Sequence, residues 1–126
     1  MLEWRSAMNL LIVDDEYLVV EEVVTVTDWE LLGITEIYSA TNAVSAVRIL
    51  NEKKIDIMIC DIEMPQTDGL ELSKKAKENF PDLEIVMLTS HAEFNYVRNA
   101  LRYGCYDYLL KPVMEDDIIK VMKNLV

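Results

Sequence analysis

Hydrophobic and polar positions along this chain group into short apolar runs separated by segments of helical spacing. Largely apolar runs occupy Leu10 to Val13, Ile55 to Cys60, Leu83 to Leu88 and Tyr106 to Leu110. Each has the length of a buried strand. They stop at Asp14-Asp15, Asp61, Thr89 and Lys111 respectively, and a shorter strand is expected at Glu36 to Ala40, after a turn at Gly33. Between the runs, Ala43, Ala46, Val47 and Leu50 follow the i, i+3, i+4, i+7 rule, with Thr41 or Asn42 as the N-cap. Leu72, Ala76 and Phe80 recur every fourth residue until Pro81 forbids continuation. Val97, Ala100 and Leu101 mark a further helix closed by Gly104, and Ile118, Ile119, Met122 and Leu125 mark the last.

Tyr17 to Val26 is the segment where propensity and topology disagree. Its valines and Thr25 favour a strand. A strand there would leave the first βα unit without its crossover, so the segment is read as helix. The pattern is then β-α repeated five times, with no internal repeat and no linker. Such alternation predicts an α/β fold with a doubly wound parallel sheet, and a barrel would need more units than the length allows.

Composition narrows the function classes. The 126 residues fit one domain, and 52% hydrophobic content supplies a core. A net charge of −11, from 23 acidic and 12 basic residues, should repel a phosphate backbone, so direct nucleic acid binding by this segment is not expected. Cys60 and Cys105 lack metal-type spacing and sit in apolar surroundings, which suits reduced core thiols. With neither a membrane-length apolar stretch nor a signal-peptide pattern, the expectation is a cytoplasmic protein without membrane contact. Residues 1–8 are read as an N-terminal extension and 9–126 as the domain; burial of Trp4 in the core would contradict this.

In a parallel sheet, residues that follow different strands gather along one edge, where ligands bind in open α/β folds. Asp14, Asp15, Asp61, Thr89 and Lys111 all take that position. Taken singly, an acid or a threonine after a strand is commonly a helix cap, and a lysine commonly snorkels; their shared register is what points to a site. Three carboxylates together repel unless a cation or a lysine relieves them. Oxygen ligands select a hard ion, Mg²⁺ being the natural one beside a phosphate. One carboxylate is then free to act as a nucleophile toward phosphorus, with Lys111 neutralising charge and Thr89 offering a hydroxyl. Asp68 is assigned to the turn before Gly69.

The motifs Leu11-Ile12-Val13-Asp14-Asp15-Glu16, Cys60-Asp61-Ile62-Glu63-Met64-Pro65 with Asp68-Gly69, Leu88-Thr89-Ser90, and Tyr108-Leu109-Leu110-Lys111-Pro112 resemble the receiver signatures of two-component response regulators. The resemblance covers residues 9–126 and implies a CheY-like, flavodoxin-like (βα)5 fold with strand order 2-1-3-4-5. It implies Asp61 as phosphoacceptor, and Asp14, Asp15, Asp61 and the Glu63 backbone carbonyl as Mg²⁺ ligands. Lys111 is then the phosphate-pairing lysine, Thr89 and Tyr108 the switch pair, and Lys111-Pro112 a cis bond. Glu63 and His91 would flank the phosphoryl group. A sensor histidine kinase is the implied partner, and the last two helices with the strand between them form the implied homodimer face. Thr27-Asp28-Trp29-Glu30 and Ser90 to Tyr96 also resemble receivers fused to AraC-type helix-turn-helix output domains, so control of transcription is the implied output.

The chain is expected to catalyse only its own phosphorylation and dephosphorylation. A phosphohydrolase using the same nucleophile would need a general acid, commonly an Asp where Glu63 stands, and a pseudo-receiver should lack part of the acid and lysine set, which is complete. Phe94, Tyr96 and Tyr103 are candidates for a partner surface.

Overall fold

The computed structural model describes residues 7–64, 67–90, 98, 101–102 and 104–125, the side chains of Thr67 and Asp68 apart. Five parallel strands form the sheet: β1 (Met8–Val13), β2 (Ile34–Ala40), β3 (Ile57–Asp61), β4 (Glu84–Thr89) and β5 (Asp107–Leu110). Their order is β2-β1-β3-β4-β5 once the main strands alone are numbered, as expected. Helices α1 (Tyr17–Thr25), α2 (Ala43–Glu52), α3 (Gly69–Asn79) and α4 (Glu115–Leu125) lie between and after them. Val97 and Ala100 of the remaining predicted helix lie outside the described residues, whereas Arg98, Leu101 and Arg102 are helical.

Strand side chains alternate faces, and two cores follow from that alternation. Leu11, Val13, Met58, Cys60, Ile85 and Met87 face Ala46 and Leu50 of α2 and Leu72 and Ala76 of α3. Leu10, Ile12, Ile57, Ile59, Val86, Leu88 and Leu109 face Val20 and Val23 of α1 and Ile118, Val121 and Met122 of α4. Both sheet faces are therefore covered, which accounts for continuous apolar runs in place of alternating ones.

Local chemistry sets the element ends. Asn42 accepts the Ser45 N–H at 2.8 Å and caps α2, the second of the two residues proposed from sequence. Phe80 N–H still bonds back to the Ala76 carbonyl before Pro81 stops α3. Gly104, at φ 91°, takes the left-handed conformation that closes the helical turn at Leu101. α1 is helical despite its valines because Val20 and Val23 drop into the core.

Several element ends differ by a residue or two from the sequence reading, and the instructive differences have local causes. Ile55 and Asp56 precede β3 rather than joining it, because Asp56 closes a crossing instead: its side chain accepts the Asn9 N–H at 2.8 Å while its own N–H bonds to the Asn9 carbonyl. Met8, set outside the domain by sequence, begins β1 opposite Ile34. A hairpin of two-residue strands, Glu63–Met64 and Thr67–Asp68, intervenes between β3 and α3; such short pairing leaves no periodic signal. Trp4 lies outside the described residues.

Trp29 anchors the connection from α1 to β2. It lies in a 3₁₀ turn (Trp29–Leu32), is buried, and donates its indole N–H to the Val23 carbonyl at 3.0 Å. Cys60 and Cys105 are buried free thiols, as expected. Burial raises both: Cys105 titrates at about 11, and Cys60 is pushed higher, burial outweighing its hydrogen bond with Ser73.

Candidate functional site at the carboxyl edge of the sheet

Strand register assembles the site. Val13 pairs with Cys60, so Asp14 leaves β1 beside Asp61 at the end of β3. Asp61 pairs with Leu88, which puts Thr89 one residue further along β4, and Thr89 pairs with Leu110, after which Lys111 emerges. Backbone bonds carry this order past the strand ends: Ile62 N–H to the Leu88 carbonyl at 2.9 Å and Lys111 N–H to the Thr89 carbonyl at 2.8 Å. Asp14, Asp61 and Thr89 are all buried polar residues, whereas Asp15 is exposed.

Lys111 Nζ lies 2.8 Å from Asp14 Oδ2 and 3.5 Å from Asp61 Oδ1. The nearer contact is a close ion pair that holds buried Asp14 Oδ2 against the ammonium. Asp14 Oδ1 accepts the Glu16 N–H at 2.9 Å, and Asp61 Oδ1 accepts the Glu63 N–H at 3.2 Å. Burial, and then the charge of Asp14, push the Asp61 carboxyl up to about 6, against the opposing pull of Lys111 and the Glu63 N–H. Burial acts to lower the Lys111 ammonium, but its pairing with Asp14 and the charges of both carboxylates prevail and raise it.

One lysine does not neutralise this much acid. The residues fit a hard divalent cation: Asp14, Asp15 and Glu16 bring carboxylate oxygens within 4.8 Å of one another, and the donors are all oxygen. In the sequence Glu16 stands out only as part of a motif. Gly69 was read only as following a turn; its N–H bonds to the Ile62 carbonyl at 3.0 Å, and a Cβ there would overlap the Asp61 carbonyl oxygen. A glycine opening a helix was the available signal, but close approach to Asp61 is a tertiary fact.

Of the remaining expected residues, Glu63 is exposed in the short hairpin and Tyr108 is exposed on β5. Lys111-Pro112 is cis. His91, Phe94, Tyr96 and Tyr103 lie outside the described residues.

The fold and this edge define an open, doubly wound α/β protein with an acidic, lysine-paired pocket. The family model described as response regulator receiver domain matches residues 10–123. The chain belongs to that family, and it is a receiver domain of two-component response regulators. Among its relatives, the uncharacterized transcriptional regulatory protein YesN of Bacillus subtilis (strain 168) is 35% identical over 118 residues, covering 94% of this chain and 32% of that protein. The uncharacterized transcriptional regulatory protein YhcZ of the same organism is 32% identical over 117 residues, covering 90% of this chain and 52% of YhcZ. This chain thus spans between a third and about half of these relatives. Among solved structures, the REC domain of AraT, a response regulator from Geobacillus stearothermophilus, superposes with a TM-score of 0.83 at 30% identity, covering 94% of this chain and 95% of that one. A CheY-like receiver domain protein from Methanospirillum hungatei JF-1 gives 0.84 at 26% identity, covering 95% and 94%.

Phosphoryl transfer follows from the family, whose members interact with histidine kinases and generally bind Mg²⁺ at an acidic pocket. Among the described residues, no helix is long and apolar enough to cross a membrane.

Proposed function

We propose that Asp61 is the phosphoacceptor of this receiver. The carrying observation is its placement: a carboxylate at the end of β3, 3% exposed, with Lys111 Nζ at 3.5 Å and Asp14 beside it. The contacts to Asp61 described above fall on Oδ1, so Oδ2 is the proposed attacking oxygen. A new O–P bond forms there as the P–N bond to the kinase's phosphohistidine breaks and the released imidazole takes a proton. Lys111 would pair with the transferred oxygens, and Thr89 would turn its hydroxyl to one of them.

Asp14, Asp15, Asp61 and the Glu63 carbonyl are the proposed holders of Mg²⁺. When bound, the ion would offset the charge developing on the phosphoryl oxygens. The chain acts only on itself and is not an enzyme toward external substrates, a reading supported by Glu63 standing where a hydrolase would carry its acid.

Output requires more than one contact. A charged hydrogen bond from Thr89 supplies roughly 1.5–3 kcal/mol, whereas swinging a two-state equilibrium from mostly off to mostly on takes about 5.5 kcal/mol. Lys111, the cation and partner binding make up the difference, with Tyr108 moving into the space Thr89 vacates. Exposed Leu101, Tyr106, Tyr108 and Leu110 support a homodimer face around β5, which sedimentation of the phosphorylated protein should reveal as a shift from monomer to dimer. The regulator is proposed to act in the cytoplasm and to control transcription, as the names of its relatives suggest, through a DNA-binding part outside this segment.

Incubation with acetyl phosphate and Mg²⁺, followed by intact mass, tests the assignment. One phosphoryl adduct, absent in Asp61→Asn, is expected. Turnover without an adduct would favour a hydrolase, and no reaction a pseudo-receiver.

A further inference from the structure

We infer that Ser73 is a positioning residue for phosphoryl transfer, holding the main chain of Asp61 in place through the sulfurs of Cys60 and Met87. The role rests on the reading of Asp61 as the phosphoacceptor.

Among the described residues four polar side chains are buried: Asp14, Asp61, Thr89 and Ser73. The first three belong to the pocket at the sheet edge. Ser73 lies behind it on α3, fully enclosed. Within a helix a serine hydroxyl commonly bonds the carbonyl four residues earlier, here that of Gly69. Ser73 donates instead to sulfur: Met87 Sδ at 3.2 Å and the Cys60 thiol beside it. Sulfur is a weak acceptor, so these bonds offset little of the cost of enclosing a hydroxyl. Alanine would suit the helix better and has no hydroxyl to desolvate. Stability therefore does not account for a serine here.

Its position supplies the reason. Cys60 and Met87 pair with each other across β3 and β4, one residue before Asp61 and two before Thr89. Ser73 thus ties α3 to both strands immediately behind the pocket. Cys60 carries the tie onward, because its thiol donates to the Asp61 carbonyl at 3.5 Å. Met87 is a flexible side chain, and a fixed partner at its sulfur holds one of its conformations. The same helix docks Gly69 against the Asp61 carbonyl with no space for a Cβ, so any drift of α3 is passed to Asp61. Attack on phosphorus tolerates little drift: a displacement of about 1 Å can slow a reaction roughly 100-fold.

Acetyl phosphate with saturating Mg²⁺ at pH 7.5, read by intact mass at early times over a range of phosphodonor concentrations, tests this. Ser73→Ala should lower the limiting rate about 3- to 10-fold. Its half-saturating acetyl phosphate concentration should stay within about twofold of the parent's, because enclosed Ser73 cannot touch the phosphodonor. Its urea midpoint should equal or exceed the parent's. Lys75→Ala, an exposed change on the same helix, should leave the rate as it is. Cys60→Ala should also slow the reaction, and adding Ser73→Ala to it should slow it less than about twofold further, because both changes break one tie. A parent-like rate in Ser73→Ala would overturn the inference while leaving Asp61 as the phosphoacceptor. So would a slower rate joined to a lower urea midpoint, which marks a structural role alone, or single effects that multiply in the double variant. No adduct on the parent chain would overturn this inference and the Asp61 reading together.

Discussion

Asp61→Asn is expected to stabilise the protein at pH 7 in chelator by about 2–3 kcal/mol, even as it removes the proposed phosphoacceptor. In the fold the carboxyl titrates at about 6, above its ordinary value of 3.8, chiefly through burial and then through the charge of Asp14. Between those values the folded state holds a proton that the unfolded chain has released. The site therefore favours folding most below about pH 4, and that contribution is lost as pH rises through about 6. At 1.36 kcal/mol per pKa unit, the loss by neutral pH is about 3 kcal/mol, discounted slightly because Lys111 also relaxes toward the lone charge of Asp14. Urea denaturation of parent and variant across pH 4–8 reads the difference directly: the two curves should diverge as pH rises, with the variant above. Mg²⁺ should narrow the gap from the parent's side, because a cation relieves the same repulsion and binds only the folded state. A gap that stays constant with pH would show that the Asp61 carboxylate carries no strain of this kind.

Gly69→Ala is expected to lower stability by about 3 kcal/mol and to displace the phosphorylation site with it. The added carbon would overlap the Asp61 carbonyl oxygen and stand 2.9 Å from both the Asp61 carbonyl carbon and the Ile62 Cα. All three are main-chain atoms at the end of β3, so no side chain can swing aside. Alanine normally gains about 1 kcal/mol over glycine inside a helix, and the clash must exceed that gain for the sign to come out as expected. Lys75→Ala, an exposed position on the same helix, should shift stability by less than about 0.5 kcal/mol. A urea midpoint for Gly69→Ala equal to that of Lys75→Ala would mean that α3 and β3 separate at no cost, contrary to the contact described.

Both outcomes bear on how the pocket is built. Asp61 is held in an unfavourable charged state by tight packing behind it, and that stored repulsion is available to favour cation and phosphoryl binding. The packing comes from α3 through Gly69, and the repulsion from β1 through Asp14.

The sequence by itself determined the order of elements, because buried parallel strands and amphipathic helices leave patterns within a few residues of each other. Leu10 to Val13 and the Ala43 to Leu50 spacing are local facts, and so is the break at Pro81. It also located Asp14, Asp15, Asp61, Thr89 and Lys111 at strand ends, from which one shared edge follows for any parallel sheet. Where the pattern is short or aperiodic it was silent: the hairpin at Glu63–Met64 carries too few residues to repeat, and Asp56 ended a run through a bond to distant Asn9. Only the tertiary structure decided that Lys111 lies closer to Asp14 than to Asp61, that Glu16 joins the acidic pair, and that Gly69 abuts the Asp61 carbonyl. Each is a distance of a few ångströms, set by strand register, a side-chain-closed turn or helix docking. Such distances depend on how segments far apart in the chain pack together, and residue spacing along one strand does not encode them.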